Sequence, residues 1–281
     1  MADDDTSQLE ISGYTSHHCS RKRGANRRGR PNGGITVLVR NSIVTRLGIT
    51  MTSTASHGIV WITLSAVNLA VAACYFPPHS SSLYNAGKLH PEPFAMLYSG
   101  VIEHQAQGYH VGVIGDLNAR IGLMSDLPGS EALCMDPSQS ASIHYSNIPE
   151  RASCDSVRNP FGDLLCTLLR SASMVMLNGR ACGDENGRIT CTPTWASSQQ
   201  NVNEHGSVID IIAVHAALYK NVLSFQVLDP YWIHSWNVIN ISLFSFCWIF
   251  QTCLIIPSIM LTLVASYAYT GHHWMPCCML S

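Results

Sequence analysis

Short apolar runs rich in β-branched residues, separated by polar turns, recur along this chain and predict its strands. Ile35–Arg40, Ile59–Leu64, Val67–Tyr75, Val111–Ile114, Val175–Leu177, Ile189–Thr194, Val208–Val214 and Val222–Leu228 all read this way. Two stretches carry helical spacing instead. In Pro91–Gln107 the apolar residues Phe94, Leu97, Val101 and Ile102 line one side of a helix. Phe161–Leu169 follows Asn159 and Pro160, a cap residue and a first-turn proline. Residues 123–158 are rich in Ser, Pro and Asp, show no period and read as a loop. Near-continuous apolar strands interleaved with helices imply an α/β layered domain, because such strands are covered on both faces.

Composition changes this picture mainly at the two ends. A chain of 281 residues can bury one large core. Hydrophobic residues make up 47% and charged ones only 12%, yet that deficit is local: no Asp, Glu, Lys or Arg occurs from Pro230 to Ser281. The chain therefore divides into a polar, basic segment 1–34, a domain 35–235 and a hydrophobic tail 236–281. Six of the ten residues Arg21–Arg30 are Lys or Arg. Such a run suits a phosphate backbone, a nuclear address or a solvated loop. In the tail, Val238–Val264 is charge-free and long enough to span a bilayer, although Asn240, Gln251 and Pro257 interrupt it. Without charge the tail has no polar face with which to lie on a sheet and meet water, so no packed role in the core is expected.

The net charge of −2 exerts no global pull on nucleic acid. Eleven cysteines without a C-x-x-C pair lack zinc-ribbon or disulfide-framework spacing and point to reduced thiols inside a cell. The acidic start, Met1 to Thr6, argues against a secretory leader. His17-His18-Cys19, and His272-His273 with Cys277-Cys278, lack structural-zinc spacing and read as incidental.

The chemistry concentrates in Val111-Gly-Val-Ile-Gly-Asp-Leu-Asn-Ala-Arg-Ile-Gly122, where an apolar strand ends in Asp116 and Asn118. Residues i and i+2 of a strand share a face. A carboxylate there can take a proton from water or hold a metal ion, and the amide can donate to a phosphoryl oxygen. That pairing suits phosphodiester hydrolysis; an Asx-turn closing the strand accounts for the same two residues. Gly115 and Gly122 permit a tight turn or a close approach. Asp210 sits inside Val208–Val214, where an unpaired carboxylate would be costly, so it calls for a partner. Tyr75 ends another strand just before Phe76-Pro77-Pro78.

A strand followed by Tyr-x-Pro, a strand followed by Gly-Asp-x-Asn, and Ser-x-Ile-Asp within a third: this order resembles the endonuclease/exonuclease/phosphatase superfamily. Gly29-Arg-Pro-Asn-Gly-Gly-Ile-Thr-Val-Leu-Val39, Asn159-Pro-Phe-Gly-Asp-Leu-Leu165, and Leu177-Asn-Gly-Arg180 with Gly183-Asp-x-x-Gly187 resemble its retrotransposon (LINE-type) endonuclease branch. The resemblance covers about residues 11 to 235. It implies a four-layer sandwich of two stacked mixed β-sheets flanked by helices, incomplete here, and Mg²⁺-dependent cleavage of DNA, with a nuclear location. By motif, Asp116 would bind the metal and orient or deprotonate the nucleophile. Asn118 and Tyr75 would hydrogen-bond the phosphate, and Asp210 would orient a histidine that stabilises the transition state. All four are expected to converge at the strand ends, where ligand sites form.

Two parts of the family's machinery are missing from the pattern. Its metal-binding Glu should precede Gly13-Tyr14, but Glu10 sits in no recognisable motif. Its terminal Ser-Asp-His should follow Val222–Leu228, but the chain reads Tyr231-Trp-Ile-His-Ser235 and then Trp236, with only His234 at hand. The resemblance therefore looks truncated at both ends and predicts a poor catalyst. Two other readings stay open: a membrane-anchored, non-catalytic binding module, and a sphingomyelinase-like phosphodiesterase.

Overall fold

A computed structural model describes residues 12–20, 34–54, 56–128, 145–192, 205–228, 249–256, 259–269 and 274–280. They form two six-stranded sheets. The first runs in the order β1-β2-β12-β11-β10-β9, from β1 (Tyr14–Ser20), β2 (Gly34–Arg40), β9 (Val222–Leu228), β10 (Ile249–Ile256), β11 (Ile259–Tyr269) and β12 (Trp274–Leu280). The second runs β3-β4-β5-β6-β8-β7, from β3 (Ile49–Thr54), β4 (Ile59–Leu64), β5 (Leu69–Tyr75), β6 (His110–Asp116), β7 (Met174–Met176) and β8 (Asp210–His215). Both sheets are mixed, with one parallel pair each: β2 with β12 and β5 with β6. A parallel pair needs a crossover. For β5 and β6 it holds the short helix α2 (Ser82–Asn85) and the helix α3 (Pro93–Ala106).

Alternation within the strands fixes which face meets what, since successive side chains point to opposite sides. Val60, Ile62 and Leu64 of β4, Val71 and Ala73 of β5, Ile114 of β6, and Ile212 and Val214 of β8 face the first sheet. There they meet Val37 and Val39 of β2 and Phe225 and Val227 of β9 in one buried core. The intervening residues Ile59, Ala72, Cys74, Val111, Val113, Ile211 and Ala213 turn the other way. They pack beneath Phe94, Leu97 and Val101 of α3 and Phe161, Leu165 and Leu169 of α4 (Pro160–Ser171). Burying each large apolar side chain stabilises the fold by about 1.5–3 kcal/mol. The result is the α/β layering that the strand pattern predicts, arranged as the stacked sandwich that the resemblance implies, with helices on the outer face of the second sheet.

Local signals act as expected at α4, where Asn159 Oδ1 accepts the N–H of Gly162 at 2.8 Å and Pro160 opens the first turn. Elsewhere the elements differ from the sequence pattern. Of Ile189–Thr194, residues 189–192 form only an isolated bridge, Cys191 with Ser207. Val67 lies in a 3₁₀ turn, and Asn68 (φ 50°) delays β5 to Leu69. Tyr14–Ser20, within the polar segment 1–34, is the edge strand beside β2. The helix α1 (Asn41–Leu47), closed by left-handed Gly48, spans too few turns to show a period.

The tail is as hydrophobic as its composition says, but it does not stand apart. Its segments Ile249–Ile256, Ile259–Tyr269 and Trp274–Leu280 are three strands of the first sheet, paired to β9 on one side and β2 on the other. The physical reason is length: Pro257 and Thr270-Gly271 cut one helix-sized apolar run into strand-sized pieces. Of Val238–Val264, residues 238–248 and 257–258 lie outside the described residues. Among the described residues no helix is long and apolar enough to cross a membrane.

Candidate functional site

Strand register brings three of the four sequence-derived site residues into one row. Tyr75 of β5 pairs with Asp116 of β6, and Asp116 pairs with Asp210 of β8. Each has the parity of its strand's inward-facing residues (Ala73, Ile114 and Ile212), so all three lie on the face turned to the first sheet. Tyr75 packs against the inter-sheet core. Asp116 is the last residue of its strand and Asp210 the first of its own, which puts the acids at one sheet end.

The approach to Asp116 is sterically exclusive. Gly115 has φ 139°, and a Cβ there would lie 2.0 Å from the Cys74 carbonyl oxygen. Only glycine lets β6 run this close to β5 before the chain turns. The Phe76 N–H then donates to the Asp116 carbonyl at 2.8 Å, and the Leu117 N–H to that of Ile209 at 3.0 Å.

Asn118 joins the row by holding Asp116. Its backbone N–H donates to Asp116 Oδ1 at 3.0 Å in an Asx-turn, and its Nδ2 donates to the same oxygen at 2.7 Å. The second Nδ2 hydrogen goes to the Phe76 carbonyl at 2.8 Å. Both amide hydrogens are thus engaged, and in this geometry the side chain fixes the carboxylate rather than reaching outward. Asn118 adopts φ 47°, and its carbonyl accepts from Asn159 Nδ2 at 2.8 Å, so the cap of α4 also secures the site loop.

Asp210 is buried, at 4% exposure. Its backbone N–H donates to Thr190 Oγ1 at 3.1 Å, and its carbonyl accepts from Asn178 Nδ2 at 3.1 Å. Asn178 Oδ1 in turn accepts the Ile212 N–H at 3.0 Å. Asn178 and Thr190 are supports that a search for acids and nucleophiles passes over, although Asn178 falls within the Leu177-Asn-Gly-Arg180 motif. Their signal is a polar residue fully buried beside an apolar strand.

Burial dominates the electrostatics. It raises the Asp116 carboxyl well above the usual carboxylate range; the neighbouring Asp210 raises it further, and the Asn118 N–H works against both. The nearby Cys191 thiol is pushed up to about 12, first by burial and then by Asp210 and Asp116. Two acids in so dry a place favour sharing protons or taking a cation.

The loops around the row are clamped by two Arg–Asp pairs. Arg120 meets Asp155 through Nε–Oδ2 (2.9 Å) and Nη2–Oδ1 (2.7 Å), and Asp155 also accepts the Val208 N–H at 3.0 Å. Arg180 and Asp126 pair with both side chains wholly buried, and Asp126 accepts the Met176 N–H at 2.7 Å. Asp184 accepts from the N–H groups of Gly179 (3.2 Å) and Arg188 (2.9 Å), and burial lifts its carboxyl to about 6. Cβ atoms at Gly179 and Gly187 would lie 1.9 and 2.4 Å from the Ala152 carbonyl oxygen. Packing therefore accounts for both glycine motifs.

Among the described residues no three His, Cys, Asp or Glu side chains gather as a metal-ligand set. Mg²⁺ nevertheless binds through one or two carboxylates plus waters and substrate phosphates, and a hard oxygen donor such as Asp116 fits that chemistry. Glu10 and His234 lie outside the described residues. His17 and His18 bond Ser53 Oγ and Thr36 Oγ1, each at 3.0 Å, and do not converge with Cys19.

No protein-family profile matches the sequence, and no curated protein does. Solved structures do resemble the fold. An AP endonuclease from Leishmania major is 13% identical with a TM-score of 0.51, over 88% of this chain and 72% of that one. An AP endonuclease from Archaeoglobus fulgidus gives 12% and 0.46, over 78% and 74%. A 3'-5' exonuclease from Neisseria meningitidis gives 16% and 0.41, over 64% and 62%. The chain thus spans less than two thirds of the neisserial enzyme. The likeness to the Leishmania protein establishes the fold, that of the endonuclease/exonuclease/phosphatase type.

Proposed function

We propose that this chain is a nuclease-type phosphodiester hydrolase of retroelement-endonuclease descent, acting on DNA with Mg²⁺ and turning over slowly. The observation that carries the reading is the row Tyr75, Asp116, Asp210 at one sheet end, with Asn118 locking the central carboxylate. Once deprotonated, Asp116 orients an attacking water and accepts its proton. Asn118 holds that carboxylate in one rotamer, which lowers the cost of alignment. The Tyr75 hydroxyl donates to a non-bridging phosphoryl oxygen, and buried Asp210 balances positive charge beside it. When bound at Asp116, Mg²⁺ supplies charge stabilisation for the phosphoryl oxygens. Each transition-state donor missing from such a set costs roughly a hundred- to a thousandfold in rate. A DNA substrate would place the protein in the nucleus, with Arg21–Arg30 as its address.

The membrane-anchored and sphingomyelin readings gain nothing from a tail whose strands β10, β11 and β12 pair into the first sheet. The test uses the full chain on supercoiled plasmid. We expect DNA binding in Mg²⁺ that weakens at least about tenfold in EDTA and in Asp116→Ala, with nicking slow or below detection, as for a site lacking a ligand. Equal binding in both metals conditions and in the variant would overturn the proposal. Rapid nicking abolished by Asp116→Ala would support the enzyme and overturn the slow turnover, with Glu10 or His234 then supplying the missing role.

A further inference from the structure

The end of the second sheet opposite the acids carries two imidazoles. β6 begins at His110 and β8 ends at His215, so both histidines lie just past the last ladder pair, Gly112 with Val214. At about 3.3 Å per residue they lie roughly 20 Å along the strands from the acids. Their ring centroids are 5.3 Å apart with the planes tilted by 39°. His215 Nδ1 is buried with no hydrogen-bond partner, and an orphaned polar atom of that kind costs about 1–3 kcal/mol. His110 stands exposed at the mouth of the pair, its strand start held by the His110 N–H bond to the Asn68 carbonyl at 2.8 Å.

These distances match a two-imidazole chelate. Nitrogens bound to one tetrahedral ion at about 2.0–2.1 Å place the two ring centres about 5 Å apart. Among the described residues a second facing pair, His57 and His90, is wider at 5.7 Å, and His90 Nδ1 already accepts the Glu92 N–H at 3.1 Å. Imidazole nitrogen suits borderline ions of the Zn²⁺, Cu²⁺ and Ni²⁺ kind, whereas Mg²⁺ selects oxygen. We propose that His110 and His215 form a binding site for a borderline divalent cation, typified by Zn²⁺ and completed by water. The bound ion would pin the start of β6 to the end of β8. The site is independent of the hydrolase reading, which concerns the far end of the same strands.

The test is a mass-mapped footprint of the full chain with diethylpyrocarbonate, which carbethoxylates accessible imidazoles. Saturating Zn²⁺ should slow modification of His110 at least about tenfold, because a metal-bound imidazole nitrogen has no lone pair left to attack the reagent. Mg²⁺ should leave it unchanged. The protection should vanish in His215→Ala. Should that variant not fold, calorimetric titration of His110→Ala, altered at an exposed position, should show one Zn²⁺ equivalent fewer than the unaltered chain. Unprotected His110 in Zn²⁺, protection that survives His215→Ala, or an unchanged stoichiometry in His110→Ala would each overturn the site.

Discussion

The two ends of β6 and β8 each carry a pair of titratable groups, and the pairs behave oppositely. At one end the ladder pairs two carboxylates; past the other end two imidazole rings approach to 5.3 Å. Burial penalises the charged form at both. It therefore raises the Asp116 carboxyl and lowers His215, the latter to about 4, with His110 adding to the effect. What differs is support. The acid end has the Asn118 clamp, the Asn178 bridge and the Thr190 hydroxyl, whereas the imidazole end has an orphaned Nδ1. One pair of strands thus carries a well-braced hard-oxygen end and a sparsely braced nitrogen end.

The comparison breaks most severely if the braces of the acid end are removed. Arg180→Ala leaves Asp126 buried and unpaired beside β7, and breaking such a pair typically costs about 3–5 kcal/mol. Urea denaturation should show that loss, together with weaker DNA binding. Asn178→Ala takes the side-chain acceptor from the Ile212 N–H and one donor from the Asp210 carbonyl. At about 1–3 kcal/mol for an unsatisfied group, a loss of about 2–4 kcal/mol is expected, and one below 1 would refute the bridge.

The remaining predictions sharpen the contrast through pH. Asp116 has its folded pKa above the unfolded value, so its stabilising contribution is present in acid and fades as pH rises through the folded pKa. Asp116→Asn should flatten that dependence and leave the protein more stable than the unaltered chain at neutral and alkaline pH. A variant with an unchanged pH profile would remove the electrostatic account of this end. His215 has the opposite sign: its contribution is complete above about 6.5 and is lost as pH falls toward 4. His215→Gln should lose that acid sensitivity, and the effect should be the smallest of the four because the half-buried residue keeps part of its surface in water.

Much of the second sheet was legible because apolar alternation reports directly on coverage of its two faces. Tyr75 and Asp116 could be picked out as polar residues at strand ends and Asp210 as an acid inside an apolar run, although β8 starts only at Asp210 rather than at Val208. Asn118 was legible as a neighbour of Asp116, but not its engagement, since its second hydrogen goes to Phe76, far away in sequence. The strand Tyr14–Ser20 is mostly polar and takes its form from the ladder with β2 rather than from its own pattern. The pairing of the tail was not legible because its lack of charge says nothing of strand spacing, and its ladders to β9 and β2 depend on register between distant residues.

The parallel pairing of β2 with β12 has a consequence during synthesis. Thr36 aligns with Cys277, so β2 must wait for about 240 further residues before that neighbour exists. At ribosomal rates of about 5–20 residues per second, its edge stays bare for roughly 12 to 50 s. A bare apolar edge of that kind invites pairing between nascent chains. Yield in a cell should therefore depend on how well chaperones shield β2, whatever the stability of the finished fold.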